Sequence, residues 1–395
     1  MLDYQTAGES HGPALVATVS GMPAGVHVDL EFINAELARR QGGYGRGGRQ
    51  KIEQDAVQVL SGVRRGRTIG SPVTLMIPNR DARLDDPVKT PPVHRPRPGH
   101  ADLAGSVKYL TTDCRETLER ASARETAART AAGALARCLL RAFEIESFAF
   151  VRSIGPESTD QAVTPANWRE LRAARDASDV YCPDPEASAR MREQVHAAKV
   201  EKDTVGGLVE CHVFNVPIGI GSTMDWRDKL DARLAYAAMS IQAIKAVEIG
   251  LGKEAAVRRG SQVHDPVIFD AAQRGTPSLG FSRPTNNAGG TEGGMSNGQP
   301  IVVRAAMKPI STLLRGLPSV NLLSMQAEKS EYERSDICAV PAASVVLENV
   351  VAFEVARALL LKFGGDSLAE TASNYDRFLE MARCLPNAPW THTLA

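Results

Sequence analysis

The sequence predicts an α+β fold in a single large domain, and three observations carry that prediction. Strand-like alternation fills the first thirty residues and returns around residues 57–77. Helical periodicity appears near residues 32, 122, 230 and 342. No internal repeat, low-complexity tail or clean linker divides the 395 residues, a length that one large domain or two ordinary ones can fill.

In chain order, ALVATVSGMPAGVHVDL (14–30) reads as two β-rich runs around the turn Gly21-Met22-Pro23-Ala24-Gly25. Phe32 to Gln41 reads as a helix that runs out into a glycine-rich segment. VQVLSGV and SPVTLMI read as a strand pair joined by the turn-prone RRGRTIG. Asp81 to His100, rich in proline and charge, reads as an ordered functional loop. Ser122 and Glu125 have capping-box spacing, opening an alanine-rich helix to about Phe143. Residues 151–205 read as polar and partly helical. Leu230, Leu234, Ala237, Ile241 and Ile244 predict a core-facing helix stopping near Gly250. The apolar run Ala342 to Phe363 contains Glu348, Asn349, Glu354 and Arg357, so it predicts a buried core helix, not a membrane span.

Lys+Arg and Asp+Glu balance at 46 each, so net charge points neither to nucleic acid nor to a membrane surface. The N-terminus has no basic segment leading into an apolar one, and the six cysteines form no C-x-x-C pair. A soluble cytoplasmic protein with reduced thiols and no zinc site is the expectation.

Local charge is strongly biased. Arg39 to Arg67 holds eight basic residues, all but one arginine, against Glu53 and Asp55. Arginine suits fork-shaped contacts to carboxylate or phosphate, and the glycines of RRQGGYGRGGR let the backbone approach a ligand. An anion site is favoured over a solvated basic face. Gly43, Gly45 and Gly48 fit G-x-G-x-x-G, but a helix precedes them where a dinucleotide turn needs a strand. GESHG (8–12) fits the nucleophile-elbow pattern, yet too little chain precedes it to build that scaffold. NNAGGTEGGMSNG (286–298) is either a surface loop or a backbone nest for a ligand.

His11 and His100 alone among the eight histidines lie in tight glycine contexts beside serine or arginine. In an arginine-lined pocket they are read as proton donors more than as bases. With no H-E-x-x-H and no histidine pair at helical spacing, a metal site is not expected. Arg120, Arg124 and Arg129 surround a helix start, again suited to an anion. Arg334 and Asp336 precede the buried helix, where a mutual ion pair is the simpler reading.

GESHG, RRQGGYGRGGRQ, RPGHAD, RASARETAART, KLDARLAYAAMSIQAIKAVEIG, GGTEGGMSNG, MKPIST and RSDICAVPAA occur here in that order. Together they resemble the chorismate synthase family over residues 5 to about 367. The resemblance implies a sandwich of antiparallel β-sheets enclosing helices, assembled as a homotetramer. It implies a lyase of the shikimate pathway that converts 5-enolpyruvylshikimate 3-phosphate to chorismate by 1,4-anti elimination, dependent on reduced FMN with no net redox change. By the same resemblance His11 and His100 are acids, and Asp336 is a carboxylate that tunes or deprotonates the flavin. Ser10, Arg40, Arg46, Arg49, Arg97 and Arg124 would hold substrate. Arg120, Ala121, Ser122, Gln242, Ala243, Gly293, Lys308, Pro309, Ile310, Ser311, Thr312 and Arg334 would contact FMN. Gln242 stands where many members carry asparagine. Residues 1–367 would form the catalytic domain, residues 368–395 a tail with no assigned role. Whether the chain uses NADPH to reduce its own flavin stays open.

Overall fold

The computed structural model describes residues 1–47, 54–330 and 335–385. One antiparallel sheet is built from β1 (Asp3–Ala7), β2 (Ala14–Ser20), β3 (Gln58–Ser61) and β4 (Val73–Pro78), in the order β1-β2-β4-β3. A second comprises β5 (Glu146–Ile154), β6 (Glu157–Ser158), β7 (Gly207–Phe214), β8 (Ile244–Ile249) and β9 (Ile301–Met307), in the order β8-β9-β7-β5-β6. All its pairings are antiparallel.

The helices with more than one turn packed around these sheets are α1 (Leu30–Gln41), α2 (Asp102–Tyr109), α3 (Arg115–Ala121), α4 (Thr126–Leu140), α5 (Trp168–Ala177), α6 (Pro185–Val200), α7 (Leu230–Met239), α8 (Val340–Phe363) and α9 (Leu368–Arg383). α4 lies on the first sheet, α8 on the second, and the two helices pack on each other. The result is the expected sandwich of sheets around helices.

Period-two burial explains the first sheet. Leu15, Ala17 and Val19 of β2 and Val73, Leu75 and Ile77 of β4 all turn inward. Enclosure on several sides explains why α4 is alanine-rich: every residue except Arg129 is buried. Gly133 marks the closest approach, because a Cβ there would stand 2.3 Å from the main-chain oxygen of Asn349 on α8. α8 is buried nearly all round for the same reason, and most of its residues are apolar.

The polar residues of α8 pair inside the core. Glu348 receives Arg39 at 2.7 Å, Arg137 at 3.0 Å and Arg175 at 3.1 Å, while Glu36 takes Arg39 and Arg137, each at 2.7 Å. Burial opposes the charge on Glu348, yet the three arginines hold its carboxyl well below the ordinary range. These ions are deeply desolvated and mutually dependent.

Three sequence expectations need correcting. The second β-rich run, Val26 to Leu30, is not a strand; His27 makes only an isolated bridge to Arg67. The helix begun at Leu230 ends at Met239, and Ile244–Ile249 is strand β8; β-branched residues at 244, 247 and 249 favour the edge of a sheet over a helix end. The capping box at Ser122 does not form. Ser122 caps a short 3₁₀ turn through the N–H of Arg124, and Glu125 is taken by Thr6, Arg129 and Gln242.

Residues 151–205 contribute α5 and α6, matching the partly helical expectation. The six cysteines are unpaired. Among the described residues no helix is long and apolar enough to cross a membrane. α9, for which the sequence predicted nothing, opens with a capping box of Ser367 and Glu370 and seats Tyr375 and Leu379 in the core.

Candidate active site

Both central helices begin at one cavity of about 510 Å³. α8 gives its floor Ala339, Ala342, Ala343 and Val346, an apolar surface suited to a flat ring. The turn into α4 gives Ser122, Ala123, Arg124 and Thr126. Two helix N-termini therefore point their positive ends toward the same space.

Ser10, His11, Arg40, Arg46, Arg97, His100 and Arg124 all line this cavity, as do Asp336, Gln242 and Ala243. Ala121, Ser122, Lys308, Ile310, Ser311 and Thr312 complete the predicted members. Arg120 lies outside the lining; its guanidinium is spent on the carbonyls of Gly8 and Thr6. Gly293 sits exposed in the turn between two short strands, Thr291–Glu292 and Met295–Ser296, away from the cavity wall. Pro309 falls between lining neighbours without lining itself. Arg49 and Arg334 lie outside the described residues.

The arginines differ in what they have left to offer. Arg124 is spent on Asp55, at 2.6 and 2.8 Å, and on Asn79. Arg97 donates Nε and Nη2 to Asp102 and Nη1 to Thr312. Arg46 pairs with Asp336 at 2.7 Å, and the N–H of Gly47 adds a bond to that carboxylate.

Besides the buried Nε of Arg46, which has no hydrogen-bond partner among the described residues, the spare donor of these four is on Arg40. Its Nε donates to Thr126 and its Nη2 to the carbonyl of Ala123, but buried Nη1 has no hydrogen-bond partner among the described residues. Asp55, 3.6 Å away, is already claimed by Arg124. Burial together with the neighbouring Arg124 and Arg46 pulls Arg40 down to about 9. A cation so short of negative charge is prepared for an anion.

Each candidate acid is backed by a buried carboxylate. Glu119 lies 2.9 and 3.0 Å from His11 Nδ1, and Asp102 meets His100 Nδ1. Both carboxylates have fully buried side chains. Burial opposes their charge, but the histidine contacts, with Arg97 at Asp102, outweigh it and lower both pKa values. On the other side of His11, Arg83 stands 3.4 Å and Asp81 3.8 Å from Nε2. Glu119, Asp102, Arg83 and Asp81 escaped the sequence reading. Asp81 and Arg83 entered it only as part of the 81–100 loop and Asp102 only as a neighbour of His100 in RPGHAD, whereas Glu119 left no trace.

Ser10 is no hydrolytic nucleophile here: its hydroxyl accepts from Ser122 at 3.1 Å, while the His11 ring turns to Glu119. Among the described residues no group of three or more His, Cys, Asp and Glu side chains could hold a metal ion. One further orphan fits a heteroaromatic ligand. Gln242 donates Nε2 to Glu125, leaving its buried Oε1 without a partner among the described residues, an acceptor suited to a ring N–H.

Arginines around a helix-start cavity, with two carboxylate-backed histidines, give a site equipped for an anionic ligand and for proton transfer. The sequence pattern of the chorismate synthase family matches residues 2–360, so the chain belongs to that family, lyases of the shikimate pathway. It is 53% identical over 392 residues to chorismate synthase of Desulforudis audaxviator, covering 97% of this chain and 98% of that one. It is likewise 53% identical over 397 residues to that of Geobacter metallireducens, covering 97% and 100%. A solved structure titled crystal structure of chorismate synthase superposes with a TM-score of 0.79 at 40% identity, covering 97% of this chain and 98% of that one.

Proposed function

We propose that this chain converts 5-enolpyruvylshikimate 3-phosphate to chorismate and phosphate by 1,4-anti elimination, dependent on reduced FMN and without net redox change. The observation that carries the reading is the unmet bonding capacity at Arg40 Nη1 and Gln242 Oε1 in one cavity. One calls for an anion, the other for a ring N–H.

In the elimination the bond from ring carbon to phosphate oxygen breaks, a ring C–H on the opposite face breaks, and a ring double bond forms. Arg40, Arg46 and Arg97, with Ser10, hold the phosphate and carboxylates; Arg124, which lines the same cavity, and Arg49 join them by resemblance. One histidine, His11, donates its proton to the departing phosphate. The other, His100, beside Lys308, holds a proton near the cofactor. Lys308 donates to the carbonyl of Gly99 and so ties the His100 loop to the end of β9.

Ala121, Ser122, Gln242, Ala243, Lys308, Ile310, Ser311 and Thr312 would hold FMN against the apolar floor, with Pro309 shaping that segment. Reduced FMN, when bound, supplies electron density to the breaking C–O bond and recovers it. The proton of the broken ring C–H would leave toward the cofactor, where Asp336, kept in place by Arg46 and Gly47, is the carboxylate that accepts it. Arg120, Gly293 and Arg334 keep the flavin assignment by resemblance alone. The catalytic unit is residues 1–367 and acts in the cytoplasm as a homotetramer.

The test is anaerobic: purified chain, chemically reduced FMN and 5-enolpyruvylshikimate 3-phosphate, with chorismate followed by its ultraviolet absorbance. Product formed only with reduced flavin is the expected result. Binding of both molecules without product would overturn the reading. Repeating the assay with oxidised FMN and NADPH tells whether the chain reduces its own flavin.

A further inference from the structure

Glu119 sits in the last turn of α3, more than a hundred residues along the chain from His11, and meets it three times. Its two oxygens lie 2.9 and 3.0 Å from His11 Nδ1, and Oε2 also accepts from the main-chain N–H of His11 at 2.8 Å. Arg115, one turn earlier, stands 3.5 Å from Oε1. Burial favours the neutral acid, but His11 and Arg115 outweigh it and keep the carboxyl ionised.

An ionised carboxylate can only accept hydrogen bonds, so His11 Nδ1 carries hydrogen in every charge state of the ring. The exchangeable proton is then the one on Nε2. That nitrogen is flanked by Asp81 and Arg83, both lining the cavity. Among the described residues Glu119 from α3 and Asp81 and Arg83 from the 81–100 loop are the charged groups recorded against the ring, with Arg115 behind Glu119.

The structure assigns Glu119 as the positioning residue of His11: it selects the Nδ1–H tautomer and fixes the ring so that Nε2 is presented to the substrate. The inference rests on the reading of His11 as the acid for the departing phosphate. Glu119 also steadies the local chain, since its carbonyl accepts from the N–H of Ser10 at 3.1 Å. A purely structural role would end there and leave the tautomer unconstrained. Carboxylate–imidazole pairing of this kind governs which nitrogen does chemistry in other acid–base sites.

The experiment uses the full chain, with histidine ring ¹⁵N spectra of the wild type and of Glu119→Gln. His11 is assigned from the signal lost in His11→Gln. The wild-type neutral ring should be the Nδ1–H tautomer. Glu119→Gln should move it toward Nε2–H and lower kcat by about tenfold, less than loss of His11 itself, with KM changed by no more than about threefold. Glu119→Asp, which keeps the carboxylate, should recover part of the lost kcat. A wild-type ring in the Nε2–H form overturns the assignment, as does a Gln variant with unchanged kcat while His11→Gln is inactive. If the Gln variant fails to fold, the wild-type spectrum decides alone. Full turnover in His11→Gln removes the acid role of His11 and with it this assignment, whereas failure at Glu119 alone leaves the acid role standing.

Discussion

Replacing Arg40 with methionine should make the protein more stable while ruining its hold on anions. The Arg40 guanidinium is fully enclosed, and its pKa falls from 12.5 to about 9. At about 1.4 kcal/mol per pH unit, that displacement represents at most about 5 kcal/mol of uncompensated charge burial. A cation with a lowered pKa destabilises the fold throughout the range below its folded value, so a pH scan near neutrality would not reveal the cost. Substitution does. Methionine removes the charge but gives up bonds to Thr126 and to the Ala123 carbonyl, which costs about 1–3 kcal/mol. Thr126 still donates to Ala123 at 2.6 Å, so part of that loss is absorbed. The balance is a gain of roughly 2 kcal/mol, or about 2 °C in Tm for a chain of this size. Thermal unfolding with and without inorganic phosphate checks both halves. The wild type should gain stability from phosphate, and Arg40→Met should start higher and gain little. A variant that is less stable without phosphate, yet equally stabilised by it, would refute the reasoning.

Other outcomes follow from other contacts. Gly133→Ala should lose about 1–3 kcal/mol in denaturant titration despite the better helix propensity of alanine, because its Cβ would drive into the backbone of Asn349. Glu210, paired with His212 at 2.7 Å and Arg304 at 2.6 Å, has its pKa drawn from 4.5 down to about 2 against the push of burial. A lowered acid contributes stability above its unfolded value and loses it as pH falls through the folded one. Acid unfolding should therefore show a contribution of about 3 kcal/mol disappearing between about pH 4.5 and 2, absent in Glu210→Gln. His11→Ala and His100→Ala should each lower turnover about a hundredfold, with unchanged circular dichroism. Full turnover in either variant would take that histidine out of the reaction.

The sequence foretold the elements whose burial repeats regularly: β2, β4, α1 and the long α8 all follow from side-chain period. It misjudged residues 240–250, where Ile241 and Ile244 continue the helical spacing into a turn and an edge strand. Sheet pairing with β9 decided that segment, and pairing is not written in local periodicity. The site divides along the same line. Glycine-framed histidines and clustered arginines announced themselves by composition, whereas Glu119 and Asp81 reach His11 only through tertiary folding. Arg124 and Arg40 look alike as sequence, yet Asp55 and Asn79 saturate one and leave the other short. Ser122 and Glu125 had capping-box spacing, but Thr6, Arg129 and Gln242 outbid the helix end for the carboxylate.

Glu36 and Arg39, Arg137, Arg175 and Glu348 come from four helices and share a single charge balance. A lineage that alters one of them by a single codon strands an ion in the interior. A fully apolar replacement could serve as well, but only after several changes made together. Each intermediate on that route is worse than either end. The interior of this protein therefore sets an expected barrier to drift: each single replacement among these ions should be costly, and only a change of several together avoids stranding one.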